Sequence, residues 1–301
     1  MGADAAGVAR LGPVDDLHSQ KYTAWINSGQ NAGMTYLERN QAVRFHPGSE
    51  ILPEARSVIV VAVSYYPRER QRPDAPQVSK YAYGQDYHLV LKKYLEDLGE
   101  RIDREVMGHS YRPIVDTVPF LERYWAEVAG LGFIGRNRNL IVPKVGSYVF
   151  LGELLTTLDL EPTRPARLHS CGTCSRCLDS CPTQALTSKG LDARRCVSYL
   201  TIEHRGDIPS ELAKKFGRRF YGCDTCQDVC PYNHRPLPQR LFAGSGQILA
   251  LSSEDMTDFS TELYSTLTKN SAMSRAKFFQ LKRNADLFVQ NNPELTTDKI
   301  P

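Results

Sequence analysis

No run of apolar residues in this chain has the length of a membrane-crossing helix. The longest, residues 58–63, is the length of a strand, well short of the ~20 residues a bilayer demands. The opening stretch, MGADAAGVARLG, lacks a basic region followed by an apolar core, so no secretory signal is expected. Neither sign of charge is in excess. Lys and Arg total 37, Asp and Glu 34, and the formal net charge is +3. That balance alone calls for no polyanionic partner, although local basic clusters still can. Nucleotide loops are missing as well: no GxGxxG follows a strand and no GxxxxGK[ST] occurs. Gly130, Gly132 and Gly135 imitate the first pattern, but they follow a helical segment, which rules out the dinucleotide reading. No haem-attachment CxxCH is present. Cysteine is absent before residue 171 and after residue 230.

That last absence makes the cysteines informative. All 8 fall between Cys171 and Cys230. A disulfide scaffold is typically short and secreted, whereas a crowded set inside a long chain reads as metal ligation. Cys171, Cys174, Cys177 and Cys181 stand as C-x2-C-x2-C-x3-C, followed by Pro182. Three thiolates two residues apart wrap three corners of one [4Fe–4S] cubane, and the fourth, beside proline, serves a second cluster. Cys223, Cys226 and Cys230, with Pro231, repeat the ending. Cys196 supplies the missing member. The cross-over rule assigns Cys171, Cys174, Cys177 and Cys230 to one cluster, and Cys181, Cys196, Cys223 and Cys226 to the other. Two zinc sites are the competing reading, since C-x2-C pairs are common there; the repeated triple spacing with a Cys-Pro ending argues for iron. Two clusters form a wire, and the rest of the chain is expected to hold what the wire feeds.

The coarse layout predicts an α+β protein: a mixed-sheet α/β domain over 1–165, a ferredoxin-like double-cluster module over 166–236, and a polar helical segment over 237–301. In the first part, residues 19–40 read as interrupted helix, 57–66 as a buried strand, and 87–106 as an amphipathic helix. Residues 112–117 read as a short strand. Residues 119–132 read as a helix opening at Pro119 and closing at Gly132. Residues 139–143 and 148–160 read as strands joined by a turn at Lys144–Gly146. The boundary is placed in 161–167. In the last part, 271–287 is the best helix and the final ten residues look frayed.

The stretch VDTVPFLERYWAEVAGLGFIGRNRNLIV (115–142) resembles the hallmark of the epoxyqueuosine reductases. So do YLERN (36–40), SVIVVAVSYYP (57–67), YAYGQDYH (81–88), RRCVSYLTIEHRGDIP (194–209), GCDTCQDVCPYN (222–233) and SAMSRAKFFQLKRNA (271–285). The blocks occur in the family's order over nearly the whole chain. The resemblance implies base-off cobalamin beside two [4Fe–4S] clusters. It implies reductive deoxygenation of epoxyqueuosine to queuosine at the wobble position of tRNA. It also implies a cytoplasmic monomer fed by a low-potential electron donor. Many members carry a further C-terminal helical-repeat domain, for which this chain leaves no room.

Removing the epoxide oxygen as water requires a proton donor, and a carboxyl serving that role near neutral pH must be kept protonated by poor solvation. By resemblance the donor is Asp116, at the end of an apolar strand; by spacing alone Asp116 is an N-cap ahead of Pro119. The same resemblance makes Arg39, Ala82, Asp116, Leu140, Leu151, Ser198 and Thr201 the expected corrin contacts. For Arg39 the alternative is a solvated helix face. For Ala82, Leu140 and Leu151 it is ordinary core. His88, on the amphipathic helix, is more easily read as a satisfied residue than as a cobalt ligand. Four basic pairs, Arg194–Arg195, His204–Arg205, Lys214–Lys215 and Arg218–Arg219, lie beside Tyr199, Phe216, Phe220 and Tyr221. Cations there would neutralise phosphate and aromatics would stack on splayed bases, with solvated helix charge as the plain alternative. The competing functions are a corrinoid-dependent reductive dehalogenase, an activase for another protein's corrinoid, and a non-enzymatic electron carrier.

Overall fold

The computed structural model describes residues 2–164, 169–242 and 244–295. The first third winds from β1 (Ala5–Arg10) through α1 (Asp16–Asn27), α2 (Gln41–Phe45) and α3 (Pro47–Glu50) to β2 (Ser57–Ser64). There follow β3 (Gln77–Val78), α4 (Tyr87–Glu105), β4 (Tyr111–Ile114), α5 (Glu122–Val128), β5 (Phe133–Ile134), β6 (Leu140–Ile141) and β7 (Val149–Thr156). Strands β1-β2-β7-β4 form one sheet with every neighbour antiparallel. The sequence of β2, SVIVVAVS, is buried nearly throughout, as befits an inner strand covered on both faces. Val58, Val60, Ala62 and Leu155 meet Trp125 and Ala126 of α5 on one face. Val61, Val63, Phe150 and Leu154 meet Leu91 and Leu95 of α4 on the other. Gly99 lets α4 lie against Tyr111; a Cβ there would come within 2.2 Å of that ring.

Several local expectations need adjustment. The strand at 112–117 ends at Ile114 because Asp116 turns into the left-handed region, with φ +48°. The helix expected from Pro119 begins at Glu122 behind Leu121 and ends at Val128, so Asp116 does not cap it. Lys144–Gly146 does form a turn, with Gly146 N–H bonded to Val142 O at 2.8 Å. The short β6 pairs back on β5, however, and not on β7. The interrupted helix of 19–40 resolves into α1 and a 3-10 turn at Thr35–Leu37. The core of the expected boundary, residues 165–168, lies outside the described residues.

The cysteine-bearing part comprises α6 (Arg176–Asp179), β8 (Leu186–Thr187), β9 (Gly190–Leu191), α7 (Val197–Ile202), α8 (Ser210–Ala213), β10 (Arg219–Tyr221) and α9 (Thr225–Asp228). Its β10 pairs parallel with β3, which joins it to the first part. Gly222, at φ +73°, allows that approach, since a Cβ would meet Ser79 Cβ at 2.5 Å. The last part holds α10 (Gly246–Ala250), α11 (Glu254–Thr257), α12 (Thr261–Thr268) and α13 (Phe278–Asn291). It is helical as expected but not a polar appendage. Ile248, Met256, Phe259, Leu267, Met273, Leu281 and Phe288 close over Val78, Ala82, Phe220 and Tyr221 in one shared core. The helix expected at 271–287 is split, because Ala276 is extended between a 3-10 turn at Ala272–Arg275 and α13. Of the ten residues expected to fray, 296–301 lie outside the described residues, and Pro293–Leu295 form a 3-10 turn.

Candidate functional site

Asp116 stands at the exit of β4 with its side chain at the surface and its backbone left-handed, at φ +48°. A non-glycine residue held there needs support from its surroundings. Glu122, in the first turn of α5, provides it: its Oε1 accepts the Asp116 N–H at 2.5 Å. Tyr87, at the start of α4, donates its hydroxyl to Asp116 Oδ2 at 3.0 Å. No donor among the described residues reaches the other oxygen. Tyr87 is itself fixed by stacking on Phe150, with centroids 4.2 Å apart and planes 8° from parallel, and on His88. Burial, then the Asp116 charge, pushes its phenol up. His88 Nδ1 lies 2.6 Å from Asp86 Oδ1, and that bond raises its pKa. Asp86 also caps α4, so His88 is a satisfied residue of the helix start.

Behind Glu122 lies a second carboxyl. Glu153 of β7 is fully enclosed, on the central sheet opposite Ile114 and Val60. Burial, and then the Asp116 charge, pushes Glu122 up to about 8; burial, and then Glu122, raises Glu153 as well. The open side of Asp116 looks toward Tyr36 and Arg275, both of which feel its charge. Arg275 lies 5.3 Å over the Tyr36 ring and makes a two-pronged pair with Glu203 at 2.7 and 2.9 Å. Tyr87, Glu122, Glu153, Tyr36 and Arg275 were not singled out by sequence reasoning. An acid inside the otherwise apolar strand VFLGELLT was the one available signal.

All 8 cysteines carry free thiols. The thiols sort by mutual field into two neighbourhoods. Cys177 feels Cys171 and Cys230, and Cys230 feels Cys171 and Cys174. Cys196 feels Cys223 and Cys181, and Cys226 feels Cys223, Cys196 and, more weakly, Cys177. Burial raises the thiols of Cys177, Cys230 and Cys226, and takes Cys196 to about 11. A cation or iron corner in the site reverses that balance, since the thiolate is the ligand. Backbone N–H groups already aim at sulfur: Arg136 at Cys171 Sγ, 3.4 Å, and Ala185 at Cys181 Sγ, 3.3 Å. The donor set therefore fits two iron–sulfur cubanes.

The other expected residues divide sharply. Ala82, Leu140 and Thr201 are sealed, at 0%, 3% and 0% exposure, so they back the site and do not line it. The Thr201 hydroxyl is spent on Val197 O and Gly222 N–H. Arg39 is exposed and has no partner among the described residues, Ser198 is half-buried, and Leu151 is half-buried against the core of the α5 face. The aromatics expected to stack on bases are core residues instead: Phe216, Phe220, Tyr221 and Tyr199 are all buried. Among the basic positions, Arg194 is paired with Asp192, and Arg195 holds Thr183 O. Arg218 holds Pro73 O, and Arg219 is fastened to Phe216 O and Thr225. Only Arg205, Lys214 and Lys215 remain exposed and unpaired among them.

A family model described as "Epoxyqueuosine reductase QueG, DUF1730" matches residues 44–117, and one described as a 4Fe-4S double cluster binding domain matches 170–233. The chain is 37% identical over 289 residues to an epoxyqueuosine reductase of Cellulophaga algicola, covering 95% of this chain and 94% of the relative. A crystal structure of an epoxyqueuosine reductase with an epoxyqueuosine-modified tRNA-Tyr stem loop superposes with TM-score 0.83 at 31% identity, over 96% of this chain and 78% of the other. The Bacillus subtilis enzyme, solved with its catalytic aspartate loop swung out of the active site, gives TM-score 0.83 at 30% identity with the same coverage. With a fold, a double-cluster module and a length of alignment all shared, the chain belongs to the epoxyqueuosine reductase family and is an oxidoreductase.

Proposed function

We propose that Asp116 delivers the proton that releases oxygen from epoxyqueuosine in tRNA, and that its loop corresponds to the catalytic aspartate loop of the Bacillus subtilis enzyme. The observation that carries this reading is the way Asp116 is presented. Its backbone is held left-handed by Glu122, one oxygen is anchored by Tyr87, and the other is free at the surface. The apolar burial expected for this acid is not supplied by the chain alone. Exclusion of water from its free oxygen is left to what binds over it.

Cobalamin, when bound, supplies low-valent cobalt as nucleophile or one-electron donor toward the substrate, with the clusters as its source of electrons. Arg39 and Ser198 carry unspent polar groups suited to corrin amides, and Leu151 offers an apolar contact. Cys171, Cys174, Cys177 and Cys230 hold one cluster; Cys181, Cys196, Cys223 and Cys226 hold the other. Both assignments are supported by the way the thiols group. On this reading residues 1–165 serve the corrin and the acid, 166–236 the clusters, and 237–301 their helical backing. Arg205, Lys214 and Lys215 are the cations free to meet tRNA phosphate. A base read by this site must leave its stack, as base-modifying chemistry requires. No helix among the described residues is long and apolar enough to cross a membrane. A cytoplasmic monomer served by a low-potential donor suits a tRNA substrate.

The deciding experiment is anaerobic incubation of cluster-loaded protein, cobalamin and a strong reductant with epoxyqueuosine-containing tRNA, followed by nucleoside mass spectrometry. Cobalamin-dependent loss of one oxygen mass is expected. No mass change with clusters and cobalamin both verified as bound would overturn the reading.

A further inference from the structure

Glu153 is the least comfortable side chain in the protein. It projects from the middle of the sheet toward the face covered by α5, among Val60, Ile114 and Leu155. Neither of its oxygens meets an N–H or O–H donor among the described residues. A bare carboxylate in such a place is prohibitively costly. The Glu122 carboxyl, from the helix α5 that packs on β7, is its hydrogen-bonding neighbour. A buried carboxyl set against a half-buried one in an apolar setting favours a shared proton over two charges. Glu122 is already an acceptor on its other side, toward the Asp116 N–H. With one proton between the two carboxyls, Glu122 keeps an oxygen for the Asp116 amide.

We propose that Glu122 and Glu153 are positioning residues for the proton donor: a single proton held between them keeps Glu122 aimed at the Asp116 amide and so keeps the Asp116 loop in place. This rests on the reading of Asp116 as that donor. The charges facing the pair are few. Asp116 adds negative charge from the loop and Arg123 adds positive charge from α5. Strands β2 and β4 contribute Val60 and Ile114 beside Glu153, and from α4 Tyr87 and His88 both feel the Glu122 charge, Tyr87 while bonded to Asp116. Loss of the shared proton leaves two adjoining anions, with Arg123 of α5 and His88 of α4 as the cationic groups near them. Glu122 is then driven off the amide, and a left-handed aspartate without its tether relaxes. The loop is thus a pH-sensitive latch.

The test is amide hydrogen exchange of the peptide spanning 115–121, in full-length, cluster-loaded protein without cobalamin. It is followed from about pH 6.5 to about pH 9.5 and corrected for intrinsic rates. Wild-type protection is expected to fall by about tenfold across that range, the worth of one hydrogen bond to a charged group. Glu153→Gln, whose amide donates to Glu122 at every pH, keeps the loop protected throughout. Glu122→Ala loses the protection at all pH values, while strands β1 and β2 exchange as before. Should that variant fail to fold, Glu122→Gln keeps an oxygen for the amide and leaves a single carboxyl, so it holds the loop across the range. Full protection in Glu122→Ala, or wild-type pH dependence in both Gln variants, would sink the proposal. Because exchange needs no substrate, failure of the enzyme on epoxyqueuosine tRNA is a separate result. In an active enzyme, Glu153→Gln moves the alkaline limb of the kcat profile upward, which a merely structural residue does not do.

Discussion

The cysteine module and the Asp116 centre bring reactive groups together in opposite ways. In the module, Cys171 to Cys181 and Cys223 to Cys230 are set by two short turns of matching spacing, each with a one-turn helix, α6 or α9, and a closing proline. Around Asp116, the donors and acceptors come from α4, the exit of β4, the first turn of α5 and the middle of β7. The first arrangement is local, and a reader of spacing can see it. The second exists only once a sheet has formed and two helices have packed on its opposite faces. A ligand set built locally tolerates change elsewhere, whereas one built by convergence depends on distant packing.

The sharpest way to break that contrast is to remove a thiol. Cys223→Ser is expected to abolish turnover and to halve the iron and labile sulfide bound, with the other cluster's electron-paramagnetic signal retained. Loss of both clusters together would mean the two sites assemble as one. Next in size is Asp116→Asn, which should lower kcat by about 10²–10⁴ at unchanged cluster and cobalamin content, measured by single-turnover assay and absorbance. An active Asn variant would take the acid out of the convergent centre.

Stability offers a quieter comparison. Burial raises the Glu122 carboxyl from 4.5 to about 8. The folded chain thus keeps a proton that the unfolded chain releases. The contribution to stability is fullest below about pH 4.5 and drains away as pH rises to about 8. Glu153→Gln replaces the shared proton with a permanent amide donor and leaves one carboxyl in the pair, so its melting temperature should exceed wild type at about pH 8.5 and converge with it near about pH 5. A constant offset would show the pair to be ionically silent. Tyr87→Phe should cost about threefold to tenfold in kcat, the value of one neutral hydrogen bond. The smallest effect is expected from Lys214→Ala with Lys215→Ala. It should flatten the salt dependence of tRNA binding by about one to two charges and leave kcat at saturating tRNA untouched.

How much of this was legible in advance follows from the same division. The strands at 57–64 and 149–156 announced themselves by apolar runs, and the clusters by spacing. The family motif pointed to Asp116 but not to what supports it: Glu122 reads as an ordinary acid opening a helix, and nothing local says that Glu153 points into the sheet's covered face. Ala82, Leu140 and Thr201 were expected to line the site and are sealed behind it, because a small or apolar residue near a motif gives no clue to which side of a wall it stands on. Phe216, Phe220 and Tyr221 were expected at an RNA surface for want of any sign that α13 would cover them. The C-terminal helices read as a polar tail because their apolar residues are spread over short segments separated by turns.

One bond pair from that last region bears on how the protein is made. Asn284 donates to Thr201 O at 2.8 Å and to Phe220 O at 3.0 Å, so α13 ties together the two strands of chain that flank Cys196 and Cys223. Every cysteine has left the ribosome well before α13 follows. A nascent chain stopped after Asn233 owns a complete ligand set and lacks the wall that holds half of it in place. The eight thiols therefore precede in synthesis the helix that backs two of the segments carrying them.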